Sequence, residues 1–223
     1  SEGKNRYILF DFKDNSFYNK LENDKEFLSE ISHVLQTKQI EVFYQPLYNI
    51  KNNTIVGCEA LARWRHPIKG LLNPDKFIPL FEQFGLITEL DLHLFEENCK
   101  NIRRWIDNND VFVLICCNFS RLHFFNPNFP SMLKGITEKY SVSTSNFSIE
   151  ITENILIENT NTIIQQLAEL RSYGFSVSMD DFGSGYSSFG MLQNLPFDII
   201  KIDRIFLSHN LNDFKNTTIL YSI

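Results

Sequence analysis

The feature that most constrains the fold is a regular alternation of strand-like and helix-like segments from residue 111 onward. Four runs have the length and residue types of strands: VFVLICCNFS (111–120), NFSIEIT (146–152), FSVSMDD (175–181) and DIIKID (198–203). Between them, the spacing of apolar residues predicts helices at about 130–140, 159–173 and 187–194. Strands that alternate with helices indicate βαβ units around a parallel sheet.

The preceding part of the chain has a different pattern. Two strand-like runs, VFYQPLYNI (42–50) and TIVGCEALARW (54–64), are separated only by KNN, which predicts a hairpin. After it, Asn73 and Pro74 suit the start of a helix, and Gly85 suits its end.

Polar residues stand at the carboxyl ends of these predicted strands. They are Glu59 and Arg63, Asn118, Glu150, Asp180 with Asp181, and Lys201 with Asp203. Because the carboxyl ends of parallel strands lie on one side of a sheet or barrel, we expect these side chains to converge on one rim. Each residue alone also fits an ordinary role as a turn residue, a helix cap or a solvated charge. The array favours a functional site, since its members occupy the same position in successive strands.

The chemistry of this array favours hard divalent cations. Carboxylate and amide oxygens suit Mg²⁺ or Mn²⁺, and a pair of such ions is a common device for splitting a phosphodiester. Zinc and copper are disfavoured because paired His or Cys ligands are absent from the sequence. Asp181-Phe182-Gly183 also matches the metal-binding segment of protein kinases, but the chain contains no glycine-rich nucleotide loop and no HRD catalytic loop.

Composition excludes several other classes. The formal net charge is -6, with no run of Lys and Arg, which argues against a DNA- or RNA-binding face. The four cysteines have no CxxC spacing and are best interpreted as buried reduced thiols, which favours the cytoplasm. No apolar stretch approaches the roughly 20 residues of a membrane span. A membrane anchor elsewhere in a longer parent protein stays open.

Several long motifs, in order, resemble the EAL domain family of cyclic-di-GMP phosphodiesterases. The motifs are YQPLYNIKNNTIVGCEALARWRHP, NFS, IEITEN and MDDFGSGYSSFGMLQNLPFDIIKID, and they include the triplet Glu59-Ala60-Leu61. The resemblance runs from about Val42 to Phe206 and implies a modified TIM (β/α)8 barrel. It also implies hydrolysis of cyclic di-GMP to linear pGpG with two Mg²⁺ or Mn²⁺ ions per active site, inhibition by Ca²⁺, and a homodimer.

The resemblance also assigns roles to individual positions. It implies that the first metal is held by Glu59, Asn118, Glu150 and Asp180, that Asp180 bridges to the second metal, and that Asp181 holds the second metal. It implies that Lys201 contacts the metal-bound water and is catalytic together with Glu59, Asp180 and Asp181. Substrate-binding positions would be Gln45 near a guanine, Arg63 on a phosphate, and Leu61 and Asp203. Glu153, Gly183, Ser184 and Gly185 would support the loop that follows the aspartate pair.

Two features of the chain depart from the family pattern. EGKNRYILFD resembles the closing strand of a GGDEF domain, so we expect residues 1–40 to be a GGDEF-domain tail with a linker helix and residues 41–223 to be the EAL domain. The last two strands of the barrel, with an EGVE-type glutamate, have no match, so six of eight strands are expected. The chain as written is therefore expected to be an impaired phosphodiesterase. The alternative is a catalytically inactive EAL domain that acts as a cyclic-di-GMP receptor or a protein-interaction module.

Overall fold

The computed structural model describes residues 31, 33–110, 114–153, 155, 160–183 and 195–203. The chain divides into two compact units, Ser1–Gln39 and Ile40–Ile223. In the first unit the description is limited to residues 31 and 33–39, of which Ile31, His33 and Val34 are helical; the rest of the expected linker helix lies outside the described residues. The predicted helix at 187–194 lies outside the described residues.

The second unit contains a mixed sheet of seven described strands. They are β1 (Ile40–Asn49), β2 (Thr54–His66), β3 (Gly70–Leu72), β4 (Leu114–Asn118), β5 (Phe147–Thr152), β6 (Ser176–Phe182) and β7 (Ile199–Ile202). The strand order is β1-β2-β4-β5-β6-β7, and β3 pairs with β2. β1 and β3 run antiparallel to β2, and the other neighbouring pairs are parallel.

This topology confirms the predicted α/β class, the hairpin and the parallel sheet. Asn53 closes the hairpin turn in the left-handed region, at φ 54°, and its N–H donates to the carbonyl of Asn49. β3 was not predicted, because a strand of three residues is too short to show the alternation of apolar and polar residues by which strands are recognised. Within the described residues β7 does not pair with β1, so the sheet forms the wall of a barrel that is not closed.

The helices cover one face of this sheet. They are α1 (Pro74–Gln83), α2 (Ile87–Asp107), α3 (Phe129–Lys139) and α4 (Thr160–Ser172). α1 begins at Pro74, as predicted, and ends in a Schellman motif in which Gly85 adopts φ 71° and the Leu86 N–H donates to the Phe81 carbonyl. α2 begins at Ile87, after Leu86, so Thr88, whose residue type suits an N-cap, lies within the helix. In the described part of the chain, no helix combines the length and the apolarity needed to cross a membrane.

The hydrophobic core lies between the helices and the outer face of the strands. α2 is long and amphipathic, and its apolar residues recur every three or four positions. One of them, Phe95, packs on Phe147 of β5 with the ring centroids 4.8 Å apart, and on Phe119 at 5.8 Å. Burying one phenylalanine side chain contributes about 1.5–3 kcal/mol. These contacts fix β4 and β5 against α2.

Alternation along the strands places polar residues on the opposite, inner face. Ile149 and Ile151 of β5 are buried in the core cluster, so Glu150 between them points to the other side. The strand register pairs Asn118 with Glu150 and Thr152 with Asp180. The inner face of the wall therefore carries the polar array that the sequence predicts.

Candidate metal centre

Three carboxylates from three strands meet on the inner face. Glu59 of β2, Glu150 of β5 and Asp180 of β6 each offer an oxygen, and these oxygens lie within 4.8 Å of one another. Asn118 of β4 joins them, because its Nδ2 donates to Glu59 Oε1 at 2.9 Å. The structure therefore brings together the four side chains that the family resemblance implies as ligands of the first metal.

Glu59 is not at the end of its strand, contrary to expectation. β2 continues to His66, where it pairs with β3, while its parallel pairing with β4 ends at Ala60. The register places Glu59 opposite Cys116, near the end of β4. Glu59 joins the cluster because it lies beside the carboxyl end of β4, which is much shorter than β2. The residues of β2 after Ala60 continue past the cluster and pair with β3.

Lys201 of β7 supplies the cation of this cluster. Its Nζ lies 2.8 Å from Glu59 Oε2, 2.8 Å from Glu150 Oε2 and 3.8 Å from Asp180 Oδ2. Burial lowers the pKa of Lys201, but the hydrogen bonds to Glu150 and Glu59 outweigh burial and hold this pKa above its usual value. The lysine is therefore protonated at neutral pH.

Glu150 is the most buried member of the cluster. Its side chain is 0% exposed, and burial raises its pKa from 4.5 to about 7 despite the opposing effect of Lys201. Oε1 of Glu150 is buried and has no hydrogen-bond partner within the described structure. A buried carboxylate oxygen without a partner is costly. The donor set of the cluster, oxygens of three carboxylates within 4.8 Å of one another, fits a hard, oxygen-loving ion.

A β-bulge places Asp180 and Asp181. The β6–β7 register passes from Met179–Ile200 to Phe182–Ile202, so two residues of β6 lie opposite Lys201 alone. Asp181 adopts the left-handed region, at φ 54°, which aspartate tolerates better than most residues. Its N–H donates to Asp180 Oδ1 at 3.0 Å. Bulges of this kind are common beside active sites, where they redirect side chains.

Asp181 lies beside the three-carboxylate cluster and is not one of its members. Its side chain is more exposed, and its pKa is raised by partial burial and by the neighbouring charges of Asp180 and Asp203. Asp203 follows the end of β7, where its N–H donates to the Phe182 carbonyl at 3.2 Å. Asp181, within the bulge, and Asp203, just after β7, are thus close enough to interact electrostatically, and the family resemblance implies that Asp181 holds a second cation.

Glu153 anchors the turn that follows the bulge. It is 2% exposed, and its Oε2 accepts the Gly183 N–H at 2.7 Å. Gly183 has φ 95°, which a residue with a side chain rarely adopts. The predicted supports Ser184 and Gly185 lie outside the described residues.

Three of the four predicted substrate residues, Gln45, Leu61 and Arg63, lie on the β1–β2 ribbon next to the cluster, whereas Asp203 follows β7. Gln45 is paired with Glu59 across the strands, and Leu61 is paired with Phe43. Arg63 lies two residues beyond Leu61 on the same face, as period two requires. Its Nη1 donates to the Ala62 carbonyl at 2.8 Å.

One positioning contact was missed by the sequence interpretation. Asp91 of α2 is 7% exposed, and its Oδ2 accepts the Ser120 N–H at 2.8 Å and lies 3.1 Å from His123 Nε2. Ser120 follows Asn118 by two residues, so this contact holds the segment that presents Asn118. An aspartate within an amphipathic helix gives no sequence signal of such a role.

Clustered carboxylates and a lysine on the inner face of a mixed α/β wall form an arrangement that could hold a metal ion through oxygen ligands, in a fold related to the α/β barrels. The chain belongs to the EAL domain family, whose model matches residues 28–223. This confirms the family resemblance of the sequence motifs.

Relatives and solved structures agree with this family. The chain is 31% identical over 222 residues to the bifunctional diguanylate cyclase/cyclic di-GMP phosphodiesterase MucR of Pseudomonas aeruginosa, covering 100% of this chain and 32% of MucR. It is 30% identical over 193 residues to the oxygen sensor protein DosP of Escherichia coli, covering 86% of this chain and 24% of DosP. The chain thus spans a third or less of these relatives.

The structure of the MucR phosphodiesterase in complex with c-di-GMP superposes with a TM-score of 0.81 at 32% identity, covering 89% of this chain and 80% of that one. The EAL enzyme Bd1971, bound to cAMP and cyclic-di-GMP, gives 0.79 at 31% identity, covering 91% of this chain and 56% of that one.

Proposed function

We propose that this chain is the catalytic domain of a metal-dependent phosphodiesterase that hydrolyses cyclic di-GMP to linear pGpG. The observation that carries the proposal is the meeting of Glu59, Glu150 and Asp180, whose carboxylate oxygens lie within 4.8 Å of one another. The similarity to MucR, which is named as a cyclic di-GMP phosphodiesterase, supports the choice of substrate.

In this proposal the inner face would hold the ions. Glu59, Asn118, Glu150 and Asp180 would bind the first, with Asp180 shared and Asp181 holding a second. When bound, divalent ions lower the pKa of a coordinated water and stabilise negative charge on phosphoryl oxygens. We assign the ions as Mg²⁺ or Mn²⁺, because every proposed ligand is an oxygen. The expected inhibition by Ca²⁺ stays a prediction.

The remaining residues of the chain act on the substrate. The carboxylate cluster would repel a dianionic dinucleotide, and divalent cations held by these residues would offset that charge. Lys201, protonated and hydrogen-bonded to Glu59 and Glu150, can orient the attacking water and stabilise developing negative charge. Arg63 would hold a phosphate, while Gln45, Leu61 and Asp203 would contact the rest of the substrate. Glu153 would hold the Gly183 turn beside the second ion.

The wider setting is also a proposal. The boundary between Ser1–Gln39 and Ile40–Ile223 supports a GGDEF-domain tail and linker before the EAL domain, as does the bifunctional character named for MucR. The four cysteines are free thiols, which supports a cytoplasmic location. A homodimer is expected from the family resemblance, and no nucleic-acid polymer is expected as a partner.

The test is turnover by the purified chain. Cyclic di-GMP is incubated with wild-type protein in Mg²⁺, Mn²⁺, Ca²⁺ or EDTA, and pGpG is measured by chromatography. We expect product with Mg²⁺ or Mn²⁺ and none with EDTA, Ca²⁺ or the Glu59→Ala variant. Binding without product under all conditions supports a receptor. Absence of both binding and product would refute any cyclic-di-GMP function.

A further inference from the structure

Phe43 is an exposed aromatic residue on the inner face beside the candidate site. Its neighbour Tyr44 faces the helices, where its hydroxyl donates to Asn98 Oδ1 of α2 at 2.7 Å. Successive residues of a strand point to opposite faces, so Phe43 points inward. It is 40% exposed, although it is flanked on that face by Gln45 and paired with Leu61.

Arg63 lies over the ring of Phe43, with its guanidinium carbon 5.7 Å from the ring centroid. The direct cross-strand partner of Arg63 is Glu41, but Glu41 is bound by Arg65 through two contacts of 2.5 and 2.8 Å. In the described part of the chain, Arg63 therefore has no carboxylate partner. Its guanidinium keeps donors available while it stays next to an aromatic ring.

We propose that Phe43 is a substrate-binding residue: a purine base of the substrate stacks on the ring face that Arg63 does not cover, next to a phosphate held by Arg63. This inference rests on the proposed function and adds a base-stacking residue to it. Aromatic rings bind bases through stacking, which contributes affinity without reading the base edge. Residues two apart on one strand are separated by roughly 7 Å. A base on Phe43 therefore presents its edge to Gln45, which can hydrogen-bond to it.

The arrangement separates two tasks. Phe43 contributes stacking, for which any aromatic side chain is suitable. Gln45 contributes hydrogen bonds that distinguish one base from another.

The experiment measures affinity for cyclic di-GMP by calorimetry in Ca²⁺, with chromatography to verify that no product forms. The proteins are wild type, Phe43→Tyr, Phe43→Leu and Phe43→Ala, with Tyr48→Ala as a control. Tyr48 is also on β1 and is 56% exposed, but it lies towards the hairpin turn. We expect Phe43→Tyr and Tyr48→Ala to bind within about twofold of wild type, and Phe43→Leu and Phe43→Ala to bind about tenfold more weakly. Melting temperatures measured in parallel should be similar for all five proteins.

Each other result has a distinct meaning. If wild type binds and Phe43→Leu binds equally well, stacking is overturned and the proposed function stands. If Phe43→Tyr also loses binding and all the Phe43 variants melt early, Phe43 is a packing residue and the inference is overturned. If wild type neither binds nor hydrolyses cyclic di-GMP, the proposed function fails and this inference fails with it.

Discussion

The two faces of the same strands differ in the partners of their buried side chains. On the outer face, Ile149 and Val177 are fully buried against helices. On the inner face, one residue away, Glu150 is equally buried but carries an oxygen with no partner within the described residues. The outer face is organised for stability. The inner face holds three clustered carboxylates against one lysine, Lys201, which is typical of a site prepared for a ligand.

The largest expected effect lies on the outer face. Phe147→Ala removes a fully buried ring that packs on Phe95 and should lower the free energy of unfolding by about 3–5 kcal/mol. Phe125→Ala is the matched control, because Phe125 is 58% exposed, and it should change this free energy by less than about 0.5 kcal/mol. Urea unfolding followed by circular dichroism measures both. Equal effects of the two variants would contradict the assignment of the core.

The next effect lies on the inner face. Asp180→Asn keeps an oxygen that can accept the Asp181 N–H, so the bulge should persist while one metal-binding charge is lost. Loss of an outer-shell partner costs about 10–100-fold in activity, so loss of this ligand should lower Mn²⁺-dependent turnover by more than about 100-fold. The melting temperature should change little. Turnover close to wild type would remove Asp180 from the metal site.

Lys201→Met tests whether the lysine offsets charge that a metal can also offset. The variant leaves Glu59 and Glu150 without their ammonium partner, which should destabilise the metal-free protein by about 1–3 kcal/mol, since the lysine is one-fifth exposed. Added Mn²⁺ should therefore raise the melting temperature of the variant more than that of wild type. An equal or smaller increase would contradict this explanation.

The last expected effect concerns pH in EDTA. Because the folded protein raises the pKa of Glu150 from 4.5 to about 7, it binds a proton more tightly than the unfolded chain. The stability from this proton is fully present below about pH 4.5 and is lost as the pH rises through about 7. Glu150→Gln should lack this component. Melting temperatures at pH 5 and pH 8 test it, and the decrease between them should be smaller in the variant than in wild type.

The sequence was sufficient to predict the parallel sheet, because its strands and helices alternate with clear periodicities. It also predicted which side chains meet, since Asn118, Glu150 and Asp180 occupy equivalent positions at the carboxyl ends of successive strands. It could not predict that Glu59 lies mid-strand, because the length of β2 relative to β4 depends on pairing with β3. Nor could it predict the bulge at Asp181 or the contact from Asp91 to Ser120, which depend on register and on helix placement.

The most direct test of the central claim is Mn²⁺ binding, measured by the loss of the electron paramagnetic resonance signal of the free aqueous ion. We predict that wild-type protein binds Mn²⁺ with at least one site per chain and that Asp180→Asn and Glu59→Ala bind it far more weakly. Glu96→Gln, which alters a surface pair with Lys139, should bind as wild type does. Equal binding by all four proteins, or none by wild type, would contradict a metal centre on the inner face.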